Sequence, residues 1–234
     1  MARTKTTSNP LPNVDYKALY PWASVDLLAE TSTLTSSKDV RKHREEETNP
    51  EGSVFWRESD AYVSVRPCAK GEPVCADHRA SVGEPFFFLY ATIFKRIKLR
   101  LSLMGFEQAL LTEINVAPAQ LHPNSWAFVR AFVILCNHLE HTPSVDVFLH
   151  FFEEKSPGKK LWVSFNWVTG RVLLTLFQQS YKGFKGKFFK VCYNAHDPTL
   201  LDGFPLYWVE KLKFKKPRGL EELTPPDHFI GNCV

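Results

Sequence analysis

Apolar residues between positions 86 and 154 repeat at the three- and four-residue spacing of amphipathic helices. This pattern predicts four helices, over residues 86–97, 106–114, 126–139 and 145–154. Ser125 is a suitable N-cap for the third of them. Its expected buried face consists of Phe128, Phe132, Leu135 and Leu139. Helices are therefore expected to dominate the first half of the globular region.

The spacing changes to a two-residue alternation in the second half of the chain. Alternating or β-branched runs predict strands over residues 161–167, 171–177, 184–193 and 204–214, with a shorter one over 98–103. Gly170 lies between the first two runs, as it would in a tight hairpin. The chain is therefore predicted to be an α+β protein. Helices clustered in the first half of the globular domain would pack on a small, mainly antiparallel sheet from the second half.

The first 53 residues show neither the helical spacing nor the two-residue alternation of a strand. Ser and Thr supply 12 of the first 50 residues, and residues 38–47 form a charged run with one apolar position. Such a composition predicts a disordered leader, because it offers little apolar surface to offset the entropy of ordering. We expect a single α+β domain over residues 54–216 and an irregular tail over 217–234. We expect this tail to be the truncated end of a copy of a longer chain.

Composition and charge narrow the class of protein. The chain has 234 residues, 44% of them hydrophobic, and a formal net charge of +4, which is typical of a globular domain. It has no apolar leader of the secretory type and no apolar run long enough to span a membrane. Five cysteines occur, none in a C-x-x-C pair. We therefore expect an intracellular protein of the nucleus or cytoplasm, neither secreted nor membrane-bound.

The basic residues are concentrated in one part of the chain. Residues 155–190 contain eight bases and no acid, and residues 181–190 (YKGFKGKFFK) interleave lysine with aromatic residues. Lysines that contact phosphates beside aromatic rings that stack on bases are typical of nucleic-acid binding. The candidate contacts are Lys182, Lys185, Lys187 and Lys190 for phosphates, and Tyr181 or Phe184 for stacking. Alternatively, the aromatic rings pack inward while the lysines solvate an outer face.

Motifs for catalysis or cofactor binding are absent from the sequence. There is no phosphate-binding loop, no G-x-G-x-x-G and no G-x-S-x-G nucleophile elbow. His138 and His141 have the i, i+3 spacing with which two histidines on a helix could bind a metal, but they lie at a predicted helix end, where histidine complements the helix dipole. We therefore expect no cofactor, no metal and no small-molecule substrate.

Three strings resemble a known family. They are NVAPAQLHPNSWAF at residues 115–128, LTLFQQSYKGFKGKFFKV at 174–191 and FPLYWV at 204–209. Together they resemble the plant gypsy-type transposon domain, also called the gypsy-type transposase domain, over residues 74–224. The resemblance implies an origin in a retroelement and supplies no catalytic residue to transfer. The motif residues it singles out are Asn115, Pro118, Gln120, His122, Pro123, Asn124 and Trp126.

Three functions remain open from the sequence. The first is a non-enzymatic, retroelement-derived domain that binds nucleic acid weakly and without sequence preference, or assembles with copies of itself. The second is a cryptic hydrolase or nuclease that uses histidines and acids. The third is a decayed reading frame with no retained role. Carboxylates or histidines that converge in a pocket would favour the second, whereas an open basic face would favour the first.

Overall fold

The described chain forms helices and two small antiparallel sheets, with the strands interspersed among the helices. The computed structural model describes residues 14–45, 63–80, 84–99, 103, 105–156, 161–174, 181–193 and 203–223. In this part of the chain the helices are α1 Tyr16–Leu19, α2 Val25–Leu28, α3 Ser37–Glu45, α4 Ala91–Ile97, α5 Gly105–Ile114, α6 Pro123–His138 and α7 Val145–Phe151. The strands are β1 Val63–Arg66, β2 Phe86–Tyr90, β3 Phe152–Lys155, β4 Ser164–Trp167 and β5 Phe188–Tyr193.

The larger sheet has three strands in the order β1-β5-β2, and both pairings are antiparallel. Val191 of the central strand lies opposite Val65 on one side and Phe87 on the other. All residues of β2 and β5 are buried, so both faces of these two strands are covered. Strands β3 and β4 form a separate antiparallel pair. The predicted α+β class with antiparallel sheets is confirmed, although the strands are spread along the chain rather than confined to its second half.

The predicted helix over residues 86–97 is in fact a strand followed by a shorter helix. Phe86–Tyr90 is strand β2, and the helix begins only at Ala91. The run Phe-Phe-Phe-Leu-Tyr is rich in the aromatic residues that strands favour, and β5 pairs with it along its whole length. Helix α4 then ends at Lys98, which adopts a left-handed conformation with φ of 57°.

Helices α5 and α6 confirm two predictions made from periodicity, but the details of α6 differ. It begins at Pro123 with His122 as its N-cap, and Ser125 lies inside the helix. Its buried face consists of Trp126, Val129, Phe132, Val133 and Cys136, whereas Leu139 is exposed. The face is rotated from the predicted one because the helix packs against α4 on one side and β4 on another.

The other predicted elements are shorter or paired differently. Helix α7 ends at Phe151, and residues 152–155 form β3, which takes the place of the predicted 171–177 strand as the partner of β4. The described residues 171–174 and 204–214 form no strand, and residues 175–177 lie outside the described residues. In the predicted strand over 98–103, Leu99 and Leu103 are buried without a strand at either, and residues 100–102 lie outside the described residues.

The N-terminal segment differs from the expected disordered leader. Residues 14–45 contain α1, α2 and α3, and they bury Tyr20, Leu27, Leu34 and Val40 in the core. Their backbone also pairs with distant segments, since Thr33 N donates to the Gly186 carbonyl and Val74 N donates to the Glu30 carbonyl. Residues 1–13 and 46–53 lie outside the described residues.

The remaining features are the C-terminal tail and the length of the helices. The described part of the 217–234 tail, residues 217–223, contains one short 3₁₀ turn, Leu220–Glu222. Among the helices of the described residues, none has the length and apolar character needed to cross a membrane.

Candidate functional site

The motif of residues 115–128 joins three distant parts of the fold. Asn115 ends α5 with φ of 51°, a left-handed conformation that asparagine tolerates well. Residues 116–121 are buried. The Gln120 side chain donates to the carbonyls of Leu161 and Val209, at 3.0 Å each, and accepts from Val209 N at 3.1 Å. This one amide therefore connects the motif to the segments at 161 and 209.

Other motif residues form hydrogen bonds within the motif and to Tyr181. The Trp126 indole donates to the Pro118 carbonyl at 3.1 Å, and Asn124 Oδ1 accepts from Tyr181 N at 2.9 Å. Pro123 occupies the first turn of α6, where the missing N–H costs no hydrogen bond. Apart from Asn115, which is exposed, the motif residues are buried or half-buried and are used to assemble the fold.

His122 lies where the motif meets the aromatic core. Its Nδ1 accepts a hydrogen bond from Asn124 N at 3.1 Å, which caps α6. The ring contacts those of Trp162 and Phe184, with centroids 6.0 Å and 5.1 Å away. Burial, with a smaller contribution from the charge on Lys185, lowers the pKa of His122 to about 4. The imidazole is therefore neutral at pH 7, as its role as a hydrogen-bond acceptor at Nδ1 requires.

We expect the contribution of His122 to the free energy of unfolding to decrease as the pH falls through the range from 6.5 to about 4. The unfolded chain protonates His122 near 6.5, whereas the folded chain does so only near 4, so stability is complete above 6.5 and is lost on acidification. The loss reaches roughly 3 kcal/mol. Urea denaturation at pH 7, 5.5 and 4 measures it.

His122→Asn is the matched control for this prediction. Asparagine can cap a helix and does not titrate in this range. The variant should lose about 3 kcal/mol less than the wild type between pH 7 and pH 4. Equal acid sensitivity of the two proteins would contradict the assignment of the effect to His122.

The aromatic residues predicted to stack on bases are buried. Tyr181 and Phe184 both lie in the core. The Phe184 ring packs edge-on against Tyr90, with centroids 4.8 Å apart, and also contacts Trp162 at 5.4 Å. Neither ring is available to a base, which corrects this part of the predicted interface and supports the alternative that the aromatic rings pack inward.

The four lysines of the same stretch have different environments. Lys190 is buried on β5, and its Nζ lies 2.7 Å from Glu72 Oε1, so it cannot contact a phosphate. Lys185 Nζ lies 4.4 Å from the centre of the Trp162 ring and 3.9 Å from Glu30 Oε2. Lys182 and Lys187 are exposed. The structure therefore keeps only these last two as open basic groups of the predicted interface.

A second basic stretch was missed by the sequence analysis. Residues 211–216 read Lys-Leu-Lys-Phe-Lys-Lys, and all four lysines are exposed. The Phe214 side chain between them is 45% exposed. The signal was present in the sequence, but the apolar positions of 204–214 favoured a strand, which would have turned Phe214 inward. We call these residues the 211–216 segment.

Acidic and basic groups complement each other within the chain near this segment. Glu113 of α5 pairs with Lys215 at 2.6 Å and with Arg218 at 2.7 Å, and Arg218 also pairs with Asp146 of α7 at 3.1 Å. Each pair is partly exposed and is therefore weak on its own. Together they hold the segment's C-terminal end against the helices.

Other candidate chemical groups are dispersed. Glu107 and Glu154 are buried, and burial raises the pKa of Glu154 to about 7. Burial also raises the pKa of the Cys75 thiol to about 12 and that of Cys136 to about 11. In the described ranges no three His, Cys, Asp or Glu side chains are placed to hold a metal ion.

Comparison with known families supports the resemblance. Residues 89–156, from the end of β2 to just after β3, match the family model described as "Putative gypsy type transposon". The matched residues include the 115–128 motif with Gln120, His122 and Trp126. Residues 89–156 are thus similar to the gypsy-type transposon family, which agrees with the predicted resemblance, and a plant origin stays a prediction. No curated protein and no solved structure matches the chain.

Proposed function

We propose that this transposon-related domain is a non-enzymatic module that binds single-stranded nucleic acid without sequence preference through the 211–216 segment. The observation that carries the proposal is the exposed Phe214 ring between exposed lysines. An exposed aromatic face stacks on any base, and neighbouring lysines follow the phosphates.

The charges on this surface are available to a ligand. Lys211, Lys213 and Lys216 make no ion pair with any residue that the structure describes, and the same holds for Lys182 and Lys187. Lys185 and Lys211 line the same cleft, so the loop that carries Lys182 and Lys187 lies next to the start of the segment. The two basic stretches can therefore act on one extended strand.

The absence of catalysis is part of the proposal and is supported by the state of the reactive groups. The buried thiols of Cys68, Cys75 and Cys136 have raised pKa values, which disfavours the nucleophilic thiolate. His122 caps a helix, and His150 Nδ1 lies 3.0 Å from the Arg218 carbonyl. These groups are engaged in structure.

We expect the logarithm of the affinity for single-stranded oligonucleotides to fall linearly with the logarithm of the salt concentration. The double variant Lys213→Ala, Lys216→Ala should reduce the slope by about 1.4, because each phosphate contact on a single strand contributes roughly 0.7. Phe214→Ala should lower affinity by about tenfold and leave the slope unchanged, because stacking carries no counterion release. Fluorescence anisotropy between 50 and 300 mM salt, about the range in which such effects are large, measures both.

The control is the double variant Lys38→Ala, Lys70→Ala. It removes the same charge from exposed positions on other segments, so its slope should equal that of the wild type. An equal reduction in both double variants would show that net charge, and not the segment, governs binding. Absence of binding at 50 mM salt would contradict the proposal, and cleavage of the oligonucleotide with added Mg²⁺ would favour the nuclease alternative.

A further inference from the structure

A cleft lined by three tryptophans lies beside the N-terminal helices. Its volume is about 290 Å³, and its aromatic walls are Trp22, Trp162 and Trp208. We call it the tryptophan cleft. The volume is near the lower end of the range of roughly 300–1,000 Å³ that is usual for ligand pockets. It therefore suits one side chain better than a nucleotide.

The polar groups of the tryptophan cleft are predominantly acidic. Asp26, Glu30 and Glu210 line it together with Lys185 and Lys211, so its lining residues carry three acidic and two basic groups. The Glu30 side chain is only 6% exposed, and its Oε1 accepts a hydrogen bond from the Tyr90 hydroxyl at 2.7 Å. A buried carboxylate beside aromatic faces favours a cationic ligand.

The cleft already holds a cation that belongs to the chain. The Lys185 ammonium lies 4.4 Å from the centre of the Trp162 ring and 3.9 Å from Glu30 Oε2. A ring centre within about 6 Å of a cation is the geometry of a cation–π contact. Lys185 therefore shows, within the molecule, the chemistry that an external ligand would use.

We propose that the tryptophan cleft binds a methylated lysine side chain of a partner protein, and that Lys185 is its built-in competitor. Aromatic faces with nearby carboxylates are the arrangement that recognises methylated ammonium groups. In the free protein Lys185 occupies the Trp162 face of the cleft. The partner's side chain displaces it, and Lys185, already half-exposed, moves into solvent.

The built-in competitor explains why the ligand is methylated. An unmodified lysine offers the same ammonium as Lys185, which acts from within the chain at an effective concentration in the millimolar range or above. Methyl groups add apolar contact with the rings and remove N–H donors that would otherwise keep the head in water. A trimethylated lysine therefore competes with Lys185 where an unmodified lysine does not.

The experiment titrates the full-length protein with four small probes and follows tryptophan fluorescence. The probes are Nα-acetyl-trimethyllysine amide, the unmodified lysine amide, the uncharged tert-butyl isostere of trimethyllysine, and choline. We expect the trimethyllysine probe to bind most tightly. In Lys185→Met its affinity should rise about tenfold, because the internal competitor is gone.

Two further variants test the geometry. Asp26→Asn should weaken trimethyllysine binding several-fold, because it removes a rim carboxylate without changing shape. Lys70→Met removes an exposed lysine elsewhere and should leave binding unchanged. Thermal unfolding by circular dichroism checks that each variant is folded.

Each contrary result contradicts a named part of the proposal. Equal binding of the tert-butyl isostere would show an apolar site, and equal binding of unmodified lysine would remove the need for methylation. Choline that binds as tightly as the trimethyllysine probe would identify a free small molecule as the ligand. An unchanged affinity in Lys185→Met would exclude the competitor. None of these results bears on nucleic-acid binding, so the two proposals fail separately.

Discussion

Trp126→Ala should lower the free energy of unfolding by about 3–5 kcal/mol, one of the two largest effects expected for a single substitution in this chain. The side chain is only 1% exposed and is the largest of the fully buried ones that the structure describes. Truncation leaves a cavity and also removes the donor that serves the Pro118 carbonyl at 3.1 Å. Urea denaturation of the wild type and the variant measures the loss.

Two variants make this prediction specific to the buried indole. Trp126→Phe keeps most of the volume and loses the hydrogen bond, so it should cost less than Trp126→Ala. Ile134→Ala lies on the same helix at a position that is 54% exposed and should cost about 0.5 kcal/mol or less. A loss under 1 kcal/mol for Trp126→Ala would mean that the indole does not support the core.

Helices α5 and α6 could be predicted from the sequence because their apolar positions keep one period over ten and sixteen residues. A pattern of that length has few competing explanations. The start of α6 was less predictable. Both His122 and Ser125 can cap a helix, and Ser125 Oγ instead accepts from Phe165 N, on β4, which lies 40 residues away.

Strands β2 and β3 could not be predicted in the same way. Every residue of β2 is buried, so neither face is polar and the two-residue alternation disappears. Its five residues also fit the helical period of α4, which follows directly. The partner strands, β5 for β2 and β4 for β3, are fixed by tertiary contacts that local periodicity does not contain.

The N-terminal segment shows a second limit of local pattern. Tyr20, Leu27 and Leu34 share no helix, because Leu27 lies in α2 and the other two lie outside the helices, yet each is buried. Ser32 Oγ hydrogen-bonds to the backbone of Phe188, 156 residues away in the sequence. Composition predicts disorder when a segment must build its own core, whereas this segment completes a core that the rest of the chain supplies.

The candidate sites were predictable only in part. The 115–128 motif was recognised as distinctive, but its role as a buried junction depends on Gln120 contacts with residues 161 and 209. The tryptophan cleft draws its walls from residues 22, 162 and 208, so no window of sequence contains it. The basic run 181–190 was visible, but the burial of Phe184 and Lys190 was not.

Lys190→Met should destabilise the protein by about 3–5 kcal/mol, because it leaves a buried carboxylate without its cation. Glu72 is fully buried, and Lys190 Nζ lies 2.7 Å from its Oε1. The methionine stem fills the space of the lysine stem beside the Phe86 ring, 4.4 Å from the ammonium, so the loss reports charge rather than packing. Urea denaturation at pH 7 measures it.

The double variant Lys190→Met, Glu72→Gln separates pairing from size. With both charges removed, no uncompensated ion is buried, and more than half of the loss should be recovered. Lys187→Met, an exposed position three residues earlier, should change stability by about 0.5 kcal/mol or less. The single variant Glu72→Gln completes the comparison. If the stability losses of Lys190→Met and Glu72→Gln add up to that of the double variant, the two side chains are not coupled. A small loss in Lys190→Met would contradict the prediction and would mean that the pair contributes little to stability.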